Sequence, residues 1–369
     1  MEEDKDGQQD VKSYMQNVCP ALALQDASRS VTDADEEIFL LYTLSAPPVD
    51  RQGLGQIDGR HDKLAITISL KHMHVIPVVS SGDDELVKQA QSNRVTTKLR
   101  SKKGNQFKEH RTLSNDTLTV IVRQDSTSLR STNGDTGSVV WRSSVFFAAK
   151  VLFDIIKSQQ PIAKPIGTAT DPFLISPSFL QRARILELGS GTGILPAMIL
   201  SHNVLSDSIK STLHWIASDQ DQIVPLLRRN VEGLSNGNMI ASATSIDWLE
   251  ASKIYKKGTS SSMQAYLKGT LNTWSTGEES IQWPDIIFAT DCIFNPHLFD
   301  AFLDTLSLFT EPKKTLVYVI CELRQADMMQ DFLQAWLDHL GSWTMHTIES
   351  SEVLGPHLSK GSVVWVAWR

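Results

Sequence analysis

From residue 184 to the C-terminus, short apolar runs of strand length alternate with longer runs in which apolar residues follow helical spacing. This order is typical of a parallel sheet covered by helices on both faces. The predicted strands are 184–189, 213–219, 241–248, 285–291, 315–321, 344–350 and 363–368. The predicted helices are 194–204, 223–234, 297–309 and 326–340. The pattern therefore predicts an α/β fold with a seven-stranded sheet.

The first part of the chain has a different character. Residues 1–110 form a predicted extension with short strands at 37–44 and 63–70, and its segment 88–111 carries eight Lys or Arg against one Glu. Such a composition favours a basic, mobile linker. A strand is predicted next at 117–122. The stretch "GDTGSVVWRSSVFFAAKVLFDII" then begins with the pattern of a strand and continues with apolar residues at helical spacing. We predict a second unit, 111–369, in which the Ser/Thr/Gly-rich residues 250–283 are a surface insertion.

Composition narrows the class of protein. The chain has 369 residues, of which 41% are hydrophobic, and a formal net charge of −7, which argues against a surface built throughout for nucleic acid. Three cysteines cannot make a disulfide framework, so we expect a reducing compartment. The N-terminus resembles no signal peptide, and no apolar run reaches the roughly 18 residues of a membrane span. We expect a cytosolic monomer that binds no membrane, with the nucleus as the alternative location.

The turn "ELGSGTG" joins the first strand of the second unit to its first helix. Backbone N–H groups and a helix N-terminus at such a turn point towards a ligand at the carboxyl end of the strand. Gly189, Gly191 and Gly193 fit the spacing GxGxG, whereas position 194 is isoleucine, so the dehydrogenase pattern GxGxxG is not met. A Walker loop is excluded as well, because no Lys-Ser or Lys-Thr follows. A tight turn without a ligand remains the alternative.

Acidic and aromatic residues flank this turn. Glu187 would repel a pyrophosphate but would suit a ligand that carries an amino group. Asp219, at the end of the second strand, is placed to accept both hydroxyls of a ribose, or else to cap the following helix. Asp247 and Trp248 lie at the end of the third strand and could offer a polar edge and an aromatic face to a purine, although such a Trp is usually a core residue. These residues describe a nucleoside ligand that carries an amino group and no pyrophosphate, and S-adenosylmethionine is such a ligand.

Several segments of the chain resemble a known family. "ILELGSGTG" resembles motif I of the seven-β-strand S-adenosylmethionine-dependent methyltransferases, whose sheet has six parallel strands and an inserted antiparallel seventh on a Rossmann-like plan. "DTGSVVWRSSVFFAAKVL" and "ATDCIFNPHLFDAFLDTL" resemble the entry segment and the Asp-x-x-Tyr/Phe motif of the protein lysine methyltransferases in that class, the methyltransferase 16 family. "QGLGQIDGRHDKLAITIS" and the linker are similar to the fungal ribosomal lysine N-methyltransferase 5 group.

The resemblance implies roles for individual residues. The implied cofactor contacts are Trp141, Gly189, Ser190, Gly191, Asp219, Trp248 and Thr290. Glu187, which we place near the ligand because of its charge, is a further predicted cofactor contact. Asp291 and Phe294 would line a channel for the target lysine. The family more often has Tyr in place of Phe294 and Ala in place of Thr290, so one phenolic hydroxyl is missing and one wall residue is bulkier.

The implied reaction is attack of a neutral lysine amine on a methyl group. Because a carboxylate stabilises the ammonium form, we assign Asp291 to recognition and orientation of the lysine and not to general-base catalysis; capping of the next helix is its structural alternative. The implied substrate is a large-subunit ribosomal protein, and the basic linker suits proximity to ribosomal RNA, although a solvated linker explains it equally. The alternatives are an elongation factor, a chaperone or a small molecule as substrate, and a non-catalytic scaffold.

Other reactive side chains have plainer explanations. His297, His339 and His357 lack metal-ligand spacing, so no metal is expected and we interpret them as surface or packing residues. Cys292 has no visible base partner and is interpreted as a buried thiol. Arg324 is expected to hydrogen-bond loop carbonyls at the substrate rim.

Overall fold

The computed structural model describes residues 3–45, 55–69, 74–78, 111–114, 117–128, 136–159, 173–201, 212–274 and 280–369. Most of the predicted basic linker, 88–110, lies outside the described residues. The α-helices are α1 Glu3–Val18, α2 Ala34–Leu44, α3 Arg142–Gln159, α4 Pro177–Leu180, α5 Ile194–Ile199, α6 Val224–Val231, α7 Trp248–Lys257, α8 Ser260–Thr270, α9 Phe299–Phe309, α10 Ala326–Leu337 and α11 Ser351–Leu358. The strands are β1 Ser28–Ser30, β2 Lys63–Ser69, β3 His74–Val78, β4 Arg111–Ser114, β5 Thr117–Arg123, β6 Arg184–Leu188, β7 Leu213–Asp219, β8 Met239–Ser245, β9 Ile286–Thr290, β10 Leu316–Glu322, β11 Thr344–Ile348 and β12 Ser362–Trp368.

The large sheet has the strand order β1-β11-β12-β10-β9-β6-β7-β8. Neighbours from β10 through β9, β6 and β7 to β8 pair in parallel. Strand β12 is antiparallel to both β10 and β11, so β11 runs in the same direction as β10. The expectation of six parallel strands with an inserted antiparallel seventh is therefore confirmed. An eighth strand, β1, was not predicted; it pairs antiparallel with β11 and brings the N-terminal extension into the sheet.

Helices cover both faces of this sheet, as predicted. Along β6 and β7, alternate residues point to opposite faces, which is the geometry of a strand. Ile185 and Trp215 belong to one apolar cluster, which includes residues of α3 and α5. Leu186 and Ile216 belong to the other cluster, which includes residues of α9 and α10. Among the described residues, no helix combines the length and the apolar content that a membrane crossing requires.

A second, antiparallel sheet has the order β3-β2-β5-β4. Its strands come from both sides of residue 110, so β4 and β5 share a sheet with the extension. Alternate residues of β5 are buried, and Leu118, Val120 and Val122 join the same apolar cluster as α5 and α6. The side-chain amide of Asn230 also pairs with the backbone of Arg123, with N···O distances of 3.0 and 2.7 Å. The small sheet thus packs on the second unit.

The strand predicted at 37–44 is wrong, because this segment is helix α2. Its apolar content reads as a strand, but Ala34, Glu37, Ile38 and Leu41 are buried at the spacing of one helix face. The carboxylate of Asp33 accepts a hydrogen bond from the N–H of Glu36 and caps the helix. Tertiary burial and the cap therefore outweigh the strand propensity of the segment.

Two connections also differ in detail from expectation. Residues 139–141 join no strand, and Trp141 makes only an isolated bridge to Gln56. The insertion 250–283 contains most of helix α7 and all of α8, which begin at the capping residues Asp247 and Thr259. One threonine of this segment, Thr259, therefore caps a helix. The composition of the segment did not predict these two helices.

Candidate active site

A crevice opens where the carboxyl ends of the parallel strands meet. After β8 the chain returns to the other side of β6 to form β9, and ligands of α/β sheets bind at such a reversal of strand order. The space between the protein atoms here, including the mouth, is about 890 Å³. Its lining includes nine of the ten predicted site residues: Trp141, Gly189, Ser190, Gly191, Asp219, Trp248, Thr290, Asp291 and Phe294.

The glycine turn forms the floor of the crevice. Gly189 and Gly191 have φ of +64° and +54°, a conformation that L side chains rarely adopt. A Cβ atom at Gly191 would lie 2.9 Å from the carbonyl oxygen of Gly137, and one at Gly189 would lie 2.7 Å from Sγ of Cys292. Both glycines are thus required by backbone conformation and by space.

Asp219 lies at the end of β7 with its carboxylate at the crevice. The N–H of Gly191 donates to Oδ2 at 2.8 Å, and the N–H of Gln220 donates to Oδ1 at 2.8 Å. Helix α6 has Ile223 at its N-cap, so Asp219 does not cap that helix. This orientation matches the predicted ribose contact, which stays a prediction.

Aromatic and hydroxyl side chains form the walls. Trp248 begins α7 and packs its ring 4.9 Å from that of Phe302 while lining the crevice. The carboxylate of Asp247 caps the same helix by accepting from the N–H groups of Leu249 and Glu250, at 2.8 and 3.1 Å. Asp247 is therefore a helix cap, and Trp248 is both a packing residue and a wall.

Glu187 is the one predicted site residue that does not line the crevice. It lies on the same face of β6 as Ile185, which directs its side chain into the core. There the indole N–H of Trp215 donates to Oε2 at 3.1 Å. Burial raises the pKa of Glu187 to about 8. Its predicted cofactor contact has no support in this geometry.

Replacing Glu187 should change how stability depends on pH. A carboxyl whose pKa rises on folding contributes stability at low pH and loses it as pH rises to the folded pKa, so the cofactor-free protein should lose about 2 kcal/mol between pH 6 and pH 8. Glu187→Gln keeps an acceptor for Trp215 and should remove this slope. Denaturant unfolding at both pH values measures it. Equal slopes in the two proteins would contradict the raised pKa.

Asp291 follows β9 and is held in place by several contacts. Its φ is +58°, uncommon outside glycine, asparagine and aspartate. Its side chain is 2% exposed and forms an ion pair with the guanidinium of Arg324. Burial raises the pKa of Asp291 to about 6, against the opposing effect of Arg324. The structure thus corrects our expectation for Arg324, whose guanidinium pairs with Asp291 instead of reaching loop carbonyls.

Phe294, Thr290 and Cys292 lie in different surroundings around the crevice. Phe294 is 39% exposed at the mouth of the crevice. The hydroxyl of Thr290 lies 2.8 Å from that of Ser144, so this buried polar group has a hydrogen-bond partner. Cys292 is buried, its thiol donates to the carbonyl of Leu188 at 3.4 Å, and burial raises its pKa well above the ordinary value. A nucleophilic thiolate is therefore disfavoured.

Several residues of the site were missed from sequence. Thr136 and Gly137 line the crevice just before Trp141, and Arg142 forms an ion pair with Glu322 behind it. The sequence feature that could have pointed to Glu322 is its position at the end of a parallel strand, at the same edge of the sheet as Asp219. Within the described part of the chain, no cluster of His, Cys, Asp and Glu is arranged to hold a metal ion.

The chain was compared with known proteins. Residues 123–264 match a family profile described as lysine methyltransferase. The chain is an S-adenosylmethionine-dependent lysine methyltransferase. The methyltransferase is 26% identical to ribosomal lysine N-methyltransferase 5 of Candida glabrata, over 82% of this chain and 88% of the relative. It is also 26% identical to the protein of that name from Zygosaccharomyces rouxii, over the same shares of both chains.

A solved structure was also matched. The O-methyltransferase TomG from Streptomyces achromogenes, in complex with SAM, is 14% identical and matches 60% of this methyltransferase and 88% of its own chain, with a TM-score of 0.31. The Rossmann-like fold of the methyltransferase rests on its own strand order.

The cofactor of the methyltransferase is S-adenosylmethionine. The crevice fits this molecule because Gly189 and Gly191 leave the floor without side chains. Asp219 provides a carboxylate for a ribose, and Trp248 provides an aromatic wall for a purine. These residues, with Trp141, Ser190 and Thr290, are the ones that would hold it.

Proposed function

We propose that this lysine methyltransferase modifies a lysine of a large-subunit ribosomal protein. The observation that carries the proposal is the similarity to two fungal ribosomal lysine N-methyltransferases over 82% of this chain, well beyond residues 123–264, which match the family profile. The similarity therefore extends to parts of the chain that the common methyltransferase region does not include.

The shape of the crevice mouth supports a protein substrate. Phe294 and Leu249 both line the crevice and are 39% and 51% exposed. Exposed apolar side chains around an open mouth suit the methylene stem of a lysine presented on a protein surface. A site for a small metabolite would instead enclose its ligand.

Bound S-adenosylmethionine supplies a methyl group on a positively charged sulfur. The target amine must be neutral to attack it, and with a reference pKa of about 10.4 this costs roughly 4–5 kcal/mol at pH 7. In this chain, Phe294 and Trp141 can exclude water around the amine, which favours the neutral form. Asp291 holds and orients the amine, and the proton leaves to solvent before the site closes.

The proposal is tested by methylation of purified large ribosomal subunits. The subunits come from cells lacking this enzyme and are incubated with the chain and tritiated S-adenosylmethionine. We expect the label in one ribosomal protein band, and peptide mass spectrometry should place it on a lysine. Small subunits and a ribosome-free lysate from the same cells are incubated in parallel, and label confined to either of them would contradict the proposed substrate.

Asp291→Asn should reduce substrate use while cofactor binding survives. Asparagine tolerates the positive φ at this position, but its neutral amide is a weaker hydrogen-bond acceptor than a carboxylate and cannot form the ion pair with Arg324. We expect kcat/KM to fall by about tenfold or more, with cofactor affinity within about twofold by calorimetry. Asp300→Asn, at an exposed position on α9, is the matched control and should behave as wild type. Unchanged turnover in Asp291→Asn would refute the assignment.

The cytosol is part of the proposal. All three cysteines, Cys19, Cys292 and Cys321, are buried free thiols. Free thiols persist in a reducing compartment. Fluorescence imaging of a tagged chain tests this location, and exclusive nuclear signal would contradict it.

A further inference from the structure

Four charged side chains lie together behind the lysine channel, at the carboxyl ends of β9 and β10. Arg324 pairs with Asp291, and Nε of Arg142 lies 2.8 Å from Oε1 of Glu322. The side chains of Asp291 and Glu322 are 2% and 5% exposed, and both arginine side chains are 23% exposed. The group thus contains two positive and two negative charges, which balance.

Arg324 is held through both its side chain and its backbone. Its central carbon lies 5.1 Å from the ring centroid of Trp141, a cation–π distance. The hydroxyl of Tyr42 donates to the carbonyl oxygen of Arg324 at 3.0 Å. Helix α2 of the N-terminal extension therefore helps to place Arg324.

A second segment of the N-terminal extension covers the same charges. Gly55 is buried with a φ of +107°, and a Cβ there would lie 2.7 Å from Oε2 of Glu322 and 3.2 Å from Nη2 of Arg324. The N–H of Arg142 donates to the carbonyl oxygen of Gly55 at 2.9 Å, which holds the segment in place. The absence of a side chain at position 55 lets the segment lie directly on the ion pairs.

We propose that Arg324, packed under Gly55, is a positioning residue that neutralises Asp291, so that the target lysine enters the channel without being held there as ammonium. This inference rests on the proposed lysine methylation. An uncompensated carboxylate beside the amine would stabilise its charged form, which cannot attack a methyl group. With Arg324 in place, Asp291 still offers an acceptor for orientation, while the nearby positive charge disfavours a second cation.

The other titratable groups around Asp291 are consistent with this role. Glu322, on β10, opposes Asp291 electrostatically but is paired with Arg142 from α3. The thiols of Cys292 and Cys321 lie nearby, and burial raises both of their pKa values well above the ordinary value, so neither adds charge near neutral pH. Tyr42 has its pKa raised to about 12 by burial and is also neutral. Arg324 is thus the described cation that pairs directly with Asp291.

The test is the pH profile of methylation of large ribosomal subunits. Arg324→Met keeps much of the side-chain volume and removes the charge, so the rising limb of kcat, which reports the ionisation of the bound lysine, should move up by about one pH unit. Arg324→Lys should restore the wild-type profile. Arg184→Met removes a comparably exposed arginine that pairs with Asp285, and it should change nothing. Cofactor affinity by calorimetry should stay within about twofold in all three.

A second pair of variants avoids changing any charge. Gly55→Ala should displace Arg324 and move the pH profile in the same direction as Arg324→Met. Gly233→Ala is the control, because Gly233 has a φ of +86° and a Cβ placed there would have no atom within 4 Å. It imposes backbone strain without a clash and should leave the profile unchanged.

Two outcomes overturn the inference. A rate reduced equally at every pH in Arg324→Met would mean that Arg324 only supports the fold. A lower KM with an unchanged pH profile would mean that Arg324 competes with the lysine for Asp291. If instead the wild-type chain labels no lysine in any protein, the proposed function itself fails, which is a separate result.

Discussion

Asp219→Asn is expected to lower the affinity for S-adenosylmethionine by about 100-fold, since hydrogen bonds to a charged group contribute about 1.5–3 kcal/mol each. Each carboxylate oxygen of Asp219 accepts one backbone N–H, from Gly191 and from Gln220. An asparagine has one oxygen, so its NH2 group would face one of these donors. The substitution therefore removes the charge that suits ribose hydroxyls and also disturbs the glycine turn.

Calorimetry with S-adenosylmethionine measures the effect of Asp219→Asn. The matched control is Asp221→Asn, because Asp221 is an exposed aspartate two residues further along the chain. The control should bind the cofactor as wild type does. Equal affinities for the two variants would show that Asp219 does not contact the cofactor.

Gly191→Ala is expected to abolish detectable cofactor binding. The new Cβ would lie 2.9 Å from the carbonyl oxygen and 3.5 Å from the Cα of Gly137, and both are backbone atoms that cannot rotate away. Gly137 also lines the crevice, so the clash would displace both the glycine turn at the floor of the crevice and the wall that contains Gly137. The left-handed φ adds about 1–2 kcal/mol of strain.

A second glycine separates the clash from the strain. Gly237 has a φ of +56°, close to the +54° of Gly191, but no atom lies within 4 Å of a Cβ placed there. Gly237→Ala should therefore lower the thermal unfolding temperature through strain alone and keep cofactor affinity. If Gly191→Ala and Gly237→Ala bound the cofactor equally well, close packing of the turn against Gly137 would not be needed for binding.

The sheet of the second unit could be predicted because its signal is local. The strands β6, β7, β9, β10 and β12 are runs of mostly buried residues flanked by turn or helix residues, which a sheet covered by helices on both faces requires. The N-terminal extension was harder to predict. Segment 37–44 has the apolar content of a strand, and only the burial of Glu37, Ile38 and Leu41 on one face makes it a helix.

The candidate site shows the same division. Gly189, Gly191, Asp219 and Asp291 lie at or just after strand ends, and the carboxyl ends of parallel strands share one edge, so the sequence alone could bring them together. Glu187 stands only two residues before Gly189 but points into the core, because side chains alternate along a strand. The spacing of Glu187 from Gly189 therefore predicted that Glu187 lies near the glycine turn, but it did not predict the direction of the Glu187 side chain.

The sequence by itself determined the α/β sheet, the cofactor and the lysine-methyltransferase character, because these depend on short motifs and on local periodicity. Only the tertiary structure decided that Arg324 pairs with Asp291 and that Gly55 packs on both Arg324 and Glu322. Residues 55, 291 and 324 are far apart in the chain, and no local pattern encodes their meeting. Their contact follows from the way in which the N-terminal extension folds back over the carboxyl edge of the sheet, where burial makes each charge require a partner.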